Sequence, residues 1–330
     1  MTLNNLRILT SLAISASILS SPVDAGAQTH PNWEINRTVN ADEINNDVDP
    51  NNPTVDVGIY YPSNFDENFR KAVPLDGIVA EFLEAKKIFA AVGVQLNLLW
   101  VKSADLDPKH FSVIASNTDD EIPSDGYSNM YIEASRNPGT LSKFAQDAFE
   151  TIIEVDDNNA QTVYIVVLQG TYSSYFDTDD NGRNWTPRLV RTKGLSFPSY
   201  IHGDKIPARL RGVITVTMLD GEHNRMIAHE LGHKLMNVSH EYMEQSPQHE
   251  IVGEGGLMLY GQGTDIPSGE NGRWHKERLH LSPYIYRISS SGERVMNADY
   301  KEQGFYYDSL YGDKVVHFEG VRLEGIKATK

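Results

Sequence analysis

The chain has 330 residues, of which 40% are hydrophobic and 22% charged, a composition typical of a globular protein with a sizeable core. With 29 basic and 45 acidic side chains, the formal net charge of −16 disfavours non-specific binding to nucleic acid and to anionic membranes. The sequence contains no cysteine, which excludes disulfides, iron–sulfur clusters, thiolate zinc sites and cysteine nucleophiles. Any metal must be bound by histidine, carboxylate, carbonyl or water, so the 11 histidines are the residues to follow.

The first 27 residues have the pattern of a secretory signal peptide. Arg7 precedes an apolar run over 8–19, and Ala25 and Ala27 follow at the spacing of a cleavage site. The apolar run is shorter than a membrane span requires. We therefore expect an exported protein, secreted or periplasmic, without membrane contact once the signal peptide is removed. The absence of cysteine favours a bacterial source.

Residues 28–53 are rich in Asn, Asp and Pro and contain few apolar side chains. This composition is typical of a leader, a short pro-segment or a calcium-binding loop, the last because Asp47, Asp49 and Asn51 place oxygen donors at alternate positions. From Thr54 onward the hydrophobic pattern changes to one typical of alternating strands and helices.

The predicted elements in chain order are a strand over 55–61, a helix over 75–91, a strand over 94–101, a helix over 141–153, a strand over 162–168, an edge strand over 194–198, a strand over 212–218 and helices over 224–236 and 274–285. The apolar run over 162–168 is typical of a central strand covered on both faces, whereas Pro198 cannot donate within a central ladder. This order predicts an α/β (α+β) fold, with one catalytic domain over 54–285 and a C-terminal extension over 286–330.

The segment His229-Glu230-Leu231-Gly232-His233 carries the chemistry. Residues four apart lie on one face of a helix, so both imidazoles can reach one ion. Glu230 stands beside the first histidine, where it can hold and deprotonate a metal-bound water. The pattern therefore predicts a hydrolytic zinc site on the helix over 224–236.

A third ligand is required, because catalytic zinc usually takes three protein ligands and leaves one position open. His240 is the leading candidate. On an unbroken helix it would lie about 16 Å along the axis from His229, so the chain must turn back between them. Asn237 suits such a turn because it tolerates the left-handed conformation that ends helices. Glu254 and His249 are the alternatives.

Downstream, Met258 and Tyr260 lie in the segment Gly-Leu-Met-Leu-Tyr-Gly, and here the sequence resembles the metzincin metallopeptidases. That clan combines HExxHxxGxxH with a later tight turn whose methionine lies beneath the metal. In astacin- and serralysin-like members, a tyrosine follows two residues later. The resemblance implies that His240 is the third ligand, Met258 the turn methionine and Tyr260 a metal ligand that moves to stabilise the oxyanion. From about residue 55 to residue 260 it also implies a twisted, mostly parallel sheet with an antiparallel edge strand that binds substrate.

The sequence departs from the clan's pattern by one residue. Met236 stands where the clan has glycine and Ser239 where it has the third histidine, and His240 follows one position later. A one-residue insertion, with Asn237 in the role of the glycine, restores the pattern. Otherwise Glu254 would ligate the metal as in gluzincins, although its glycine-rich surroundings are typical of a loop rather than of the helix a gluzincin needs.

A second group of oxygen donors, Asp177, Asp179 and Asn181, occupies alternate positions before a glycine, as in calcium-binding loops. Arg188 stands at the twelfth position, where an EF-hand has Glu, so the segment is not a complete EF-hand. A calcium ion and a solvated acidic turn are the two interpretations.

Together these patterns predict a secreted, monomeric, zinc-dependent endopeptidase that acts on polypeptides, with Glu230 as general base. The alternatives are a gluzincin-type peptidase with Glu254 as third ligand, and a catalytically inactive extracellular protein that binds zinc or calcium. No phosphate-binding loop, GxSxG elbow or basic nucleic-acid stripe is present in the sequence.

Overall fold

The computed structural model describes residues 30–49, 51–114, 143–154, 161–178, 185–196, 212–219, 221, 224–236, 256–259, 265–266, 273–279, 282–296, 305–307, 315–317 and 322–323. Over these residues the chain is a mixed α/β protein built on a mostly parallel sheet, as the order of predicted elements indicates. Within the same ranges, no helix has the length and apolar character that crossing a membrane requires.

Four parallel strands form the centre of the main sheet, in the order β3 (Gln95–Ser103), β2 (Thr54–Tyr60), β5 (Val163–Val167) and β9 (Val213–Val216). Every residue of β2, β5 and β9 is buried. The continuous apolar run of β5 follows from this position, because a parallel strand with both faces covered has no solvent side on which to place polar residues.

The outer strands of the main sheet run antiparallel to their neighbours. Strand β8 (Gly194–Ser196) pairs with β9 at one end, within the predicted edge strand, and β1 (Glu34–Ile35) pairs with β3 at the other. Strand β10 (Ile285–Ile288) pairs with the first residues of β2 and continues into β11 (Arg294–Met296). The sheet therefore extends past both limits, residues 54 and 285, of the predicted catalytic domain.

The helices are α1 (Ala41–Ile44), α2 (Glu67–Ala72), α3 (Leu75–Ala90), α4 (Lys143–Ile152), α5 (Met226–Met236) and α6 (Arg273–Leu279), with a 3-10 turn over Pro108–His110. The longest, α3, buries Ile78, Phe82, Ala85 and Phe89 on one side, at the helical spacing from which it was predicted. The helix starts directly after Pro74. Proline is tolerated at a helix start because its missing amide hydrogen would have no acceptor within the helix there.

Two apolar cores lie on opposite faces of the sheet, because successive side chains of a strand alternate between its faces. In β2, Val57 and Ile59 belong to the core that includes side chains of α3 and α5, whereas Tyr60 belongs to the core that includes α4. The helix that carries His229 and His233 is therefore packed on the sheet together with α3.

Residues 30–49, assigned from sequence to a leader or pro-segment, contribute to the sheet and to the α4 side of the core. Trp33 is buried, and its Nε1 donates a hydrogen bond of 2.7 Å to the carbonyl of Ile152. Asn45 bonds both backbone groups of Leu98, at 2.8 and 2.9 Å. These contacts join partners more than fifty positions apart, so local composition gave no sign of them.

Two smaller sheets complete the described part of the chain. Strand β4 (Ser112–Ile114) pairs with β6 (Gly170–Thr178), which forms a long hairpin with β7 (Trp185–Thr192). The second small sheet consists of β12 (Phe305–Tyr307), β13 (Val315–His317) and β14 (Arg322–Leu323).

Candidate active site

Helix α5 presents the two predicted histidine ligands side by side. His229 and His233 are one turn apart, and their ring centroids lie 4.7 Å from each other with the ring planes at 85°. Asn224 precedes the helix with a φ of 51°, a left-handed conformation that asparagine tolerates better than most residues. The spacing seen in the sequence therefore does place both imidazoles on one face of a helix.

One of these rings is held by a backbone carbonyl. The Nδ1 atom of His229 lies 2.7 Å from the carbonyl oxygen of Leu257. Since a carbonyl oxygen only accepts, Nδ1 carries the hydrogen and the lone pair of the neutral ring is on Nε2. A histidine that donates through one nitrogen to a carbonyl is oriented for metal binding through the other.

Glu230 lies between α5 and the edge strand β8. Its side chain is buried, and its carboxylate accepts a hydrogen bond from the backbone N–H of Ser196. A Cβ added at Gly194 would lie only 2.7 Å from Oε1 of Glu230, so the absence of a side chain there makes room for the carboxylate. The strand thus supports the predicted general base from one side.

Burial controls the charge of Glu230. It raises the pKa of this carboxyl group to about 8, while the Ser196 amide and the positive charge of Lys234 favour the ionised form. Lys234 follows one turn later on the same helix and is also buried, which lowers the pKa of its ammonium group well below the usual value. Burial therefore favours the protonated form of Glu230, and its polar neighbours Ser196 and Lys234 oppose that effect.

The segment containing Met258 packs directly against α5. Met258 is fully buried, and a Cβ added at Gly232 would lie 2.5 Å from its sulfur. Glycine at position 232 therefore permits the close approach of this methionine, one residue before His233. The same segment supplies the Leu257 carbonyl that orients His229, so residues 256–259 support the helix at two points.

The structure thus brings together four predicted site residues, His229, Glu230, His233 and Met258. His240, Tyr260, Glu254, His249, Asp179 and Asn181 lie outside the described residues. Asp177 is in β6, where its backbone pairs with Thr186 of β7. In the described ranges no group of three or more metal-binding side chains occurs, so the predicted third zinc ligand and the calcium loop stay predictions.

Several contacts of the site have no local signal in the sequence. Gly194 and Ser196 were predicted as part of an edge strand, but not as neighbours of Glu230. Glu81 of α3 is fully buried, and its Oε2 accepts a hydrogen bond of 3.1 Å from the backbone N–H of Ile227 in the first turn of α5. Lys234 is the exception. Its proximity to Glu230 can be predicted from sequence, since residues four apart are neighbours on one face of a helix.

Comparison of the sequence with known protein families and with curated proteins gives no match.

Proposed function

We propose that this protein is a zinc-dependent endopeptidase. The observation that carries the proposal is the arrangement on α5: two imidazoles on one face, one oriented by the Leu257 carbonyl, beside a buried carboxylate. The finer fold assignment, a metzincin-like catalytic domain, is part of the same proposal. It is supported by the antiparallel edge strand next to the helix and by Met258 packed against Gly232.

The donor set fits zinc. The chain has no thiolate to offer, and neutral imidazole is a preferred zinc ligand. In the proposed site His229 and His233 hold the ion together with His240, the ligand taken from the sequence pattern. When bound, zinc polarises the scissile carbonyl and lowers the pKa of its water toward about 7.

The residues around the ion provide proton transfer and stabilisation of the oxyanion. Glu230 takes the proton of the attacking water and passes it to the leaving amine, first as general base and then as general acid. The Ser196 amide keeps the carboxylate in place during both transfers. Tyr260, by the resemblance, donates to the developing oxyanion.

The edge strand β8 offers a surface for an extended substrate. Among the described strands it stands at the end of the strand order, and it touches Glu230 through Ser196. A polypeptide that pairs with such an edge is held by main-chain hydrogen bonds and tolerates many side chains. This geometry supports cleavage within a chain rather than at a specific terminus.

The variant Glu230→Ala tests the reaction. We expect it to fold, to bind one zinc ion per chain and to hydrolyse unfolded polypeptide about 10²- to 10⁴-fold more slowly. Undiminished hydrolysis contradicts the proposal. Wild-type protein that binds zinc but cleaves no unfolded substrate would instead be an inactive metal-binding protein, and calcium binding without zinc would indicate a calcium-binding module.

The third ligand is tested separately. The variant His240→Ala should weaken zinc binding, and His249→Ala, which removes the other histidine candidate, should leave it unchanged. If His240→Ala binds zinc normally and Glu254→Ala does not, the site is of the gluzincin type.

We also propose that the protein is exported, that residues 1–27 are removed and that the mature chain starts at Gln28. The packing of Trp33 and the pairing of β1 with β3 support retention of residues 30–49. Amino-terminal sequencing of the exported protein should find this start, and a start beyond residue 53 would mean that the segment is a pro-segment.

A further inference from the structure

Glu81 is a carboxylate inside an apolar core. It lies on the buried face of α3, among side chains such as Ile78, Phe82 and Ala85, and none of its surface is exposed. Burying a carboxylate is costly unless hydrogen bonds satisfy it. Packing alone does not explain an acid at this position, since a leucine or methionine would fill it without that cost.

The partner of Glu81 is the beginning of helix α5. Its Oε2 accepts a hydrogen bond from the backbone N–H of Ile227, the second residue of the helix. Amides of a first helical turn have no acceptor within their own helix, and the helix dipole favours a negative charge there. Glu81 therefore caps α5 from a neighbouring helix, 146 positions earlier in the chain.

The cap acts two residues before His229. Farther along, the Leu257 carbonyl holds the His229 ring and Met258 packs against Gly232. With Glu81 these contacts hold the helix at three positions, Ile227, His229 and Gly232. Without Glu81, the rotation of α5 about its axis is set only by the bond between His229 and Leu257 and by side-chain packing.

Metal binding is sensitive to that rotation. A ring nitrogen about 6 Å from the helix axis moves about 1 Å when the helix turns by about 10°. Metal–ligand distances tolerate only about 0.2 Å. Even a small change in the rotation of α5 therefore moves the ring nitrogens farther than metal–ligand distances tolerate.

We propose that Glu81 is a positioning residue for the metal site: by fixing the rotation of α5, it sets where His229 and His233 lie relative to the groups that other segments bring to the site, such as the Leu257 carbonyl. The proposal rests on the proposed function, since it assumes that these histidines bind zinc. It assigns Glu81 no contact with substrate or metal.

The test compares Glu81→Met, which keeps the volume and removes the acceptor, with Glu81→Gln, which keeps an acceptor oxygen. The matched control is Ile78→Ala, a loss of packing on the same face of α3 without loss of the cap. Zinc dissociation constants are measured by chelator competition. Hydrogen exchange of the α5 amides is measured in the zinc-free proteins, and urea unfolding reports their stability.

We expect Glu81→Met to weaken zinc binding about tenfold, at the low end of the effect of residues that support metal ligands, and to speed exchange in the first turn of α5. Glu81→Gln should stay within about threefold of wild type, and Ile78→Ala should lose stability while binding zinc normally. If Glu81→Met does not fold, Glu81→Asp, whose shorter side chain withdraws from Ile227, should show the same weakening.

Equal zinc binding by Glu81→Met and wild type overturns the proposal, as does equal weakening in Ile78→Ala. In either case an inactive, zinc-loaded Glu230→Ala would leave the proposed function intact. Failure of the wild-type protein to bind zinc overturns both.

Discussion

The substitution Gly194→Ala places a methyl group against the proposed general base. A Cβ at this position would lie 2.7 Å from Oε1, 2.8 Å from Cγ and 3.0 Å from Cδ of Glu230, and these are its three nearest atoms. Ordinary van der Waals contact begins at 3.4 Å. The carboxylate or the strand must therefore give way by about 0.7 Å, because atoms at normal density do not interpenetrate.

Such a shift is large for a group that transfers protons. A misplacement of about 1 Å in an active site costs about a hundredfold in rate, so we expect kcat to fall roughly 30- to 100-fold. Zinc affinity should be unchanged, because the three atoms nearest to the added methyl group all belong to Glu230 and none to His229 or His233. The unfolding free energy should fall by about 1–3 kcal/mol, as for other overpacked sites.

The assay measures kcat and KM on an unfolded polypeptide, together with the zinc dissociation constant. Gly58→Ala is the matched control, because its Cβ would lie 2.5 Å from a ring carbon of Trp100, on β2 and β3 rather than at β8. It should lose stability but keep its kcat. A folded Gly194→Ala with normal kcat, or an equal loss of kcat in Gly58→Ala, would refute the reasoning.

Two further predictions concern stability. Burial lowers the pKa of His275 to about 3, below the value near 6.5 of an unfolded chain, so acid protonates the unfolded state first. The contribution of His275 to the unfolding free energy is fully present above about pH 6.5. It declines by about 1.4 kcal/mol per pH unit as the pH falls to about 3. Urea unfolding at pH 7, 6, 5 and 4 gives the unfolding free energy as a function of pH. This dependence should be less steep for His275→Leu than for wild type, and equal slopes for the two proteins would contradict the prediction. Trp33→Ala removes the tilted ring contact with Tyr60 and the hydrogen bond to Ile152, and should cost about 3–5 kcal/mol without changing zinc affinity. A chemical denaturation midpoint equal to that of wild type would mean that residues 30–49 do not stabilise the domain.

The fold was predictable where the signal is local. The apolar run of β5 and the helical period of α3 indicated a buried parallel strand and an amphipathic helix, and the structure has both. The packing of residues 30–49 on the sheet could not be predicted, because it depends on Trp33 and Asn45 meeting partners far along the chain. The hairpin of β6 and β7 was also missed, since neither strand has a continuous apolar run.

The candidate site shows the same difference between local spacing, which can be predicted from sequence, and long-range contacts, which cannot. His229 and His233 are four residues apart, so a helix is enough to bring them together and the sequence predicts their meeting. The contacts that orient them come from Leu257, 28 positions later, and through Ile227 from Glu81, 146 positions earlier. Residue spacing cannot reveal contacts that only the packing of α3, α5 and β8 creates.

The central claim is that a single zinc ion, held by the histidines of α5, makes this protein a peptidase. The most direct measurement adds zinc stepwise to chelator-treated mature protein and follows the hydrolysis of an unfolded polypeptide. The account predicts that activity rises in proportion to bound zinc and stops rising at one ion per chain. Hydrolysis that persists without zinc, or one bound zinc without hydrolysis, would contradict it.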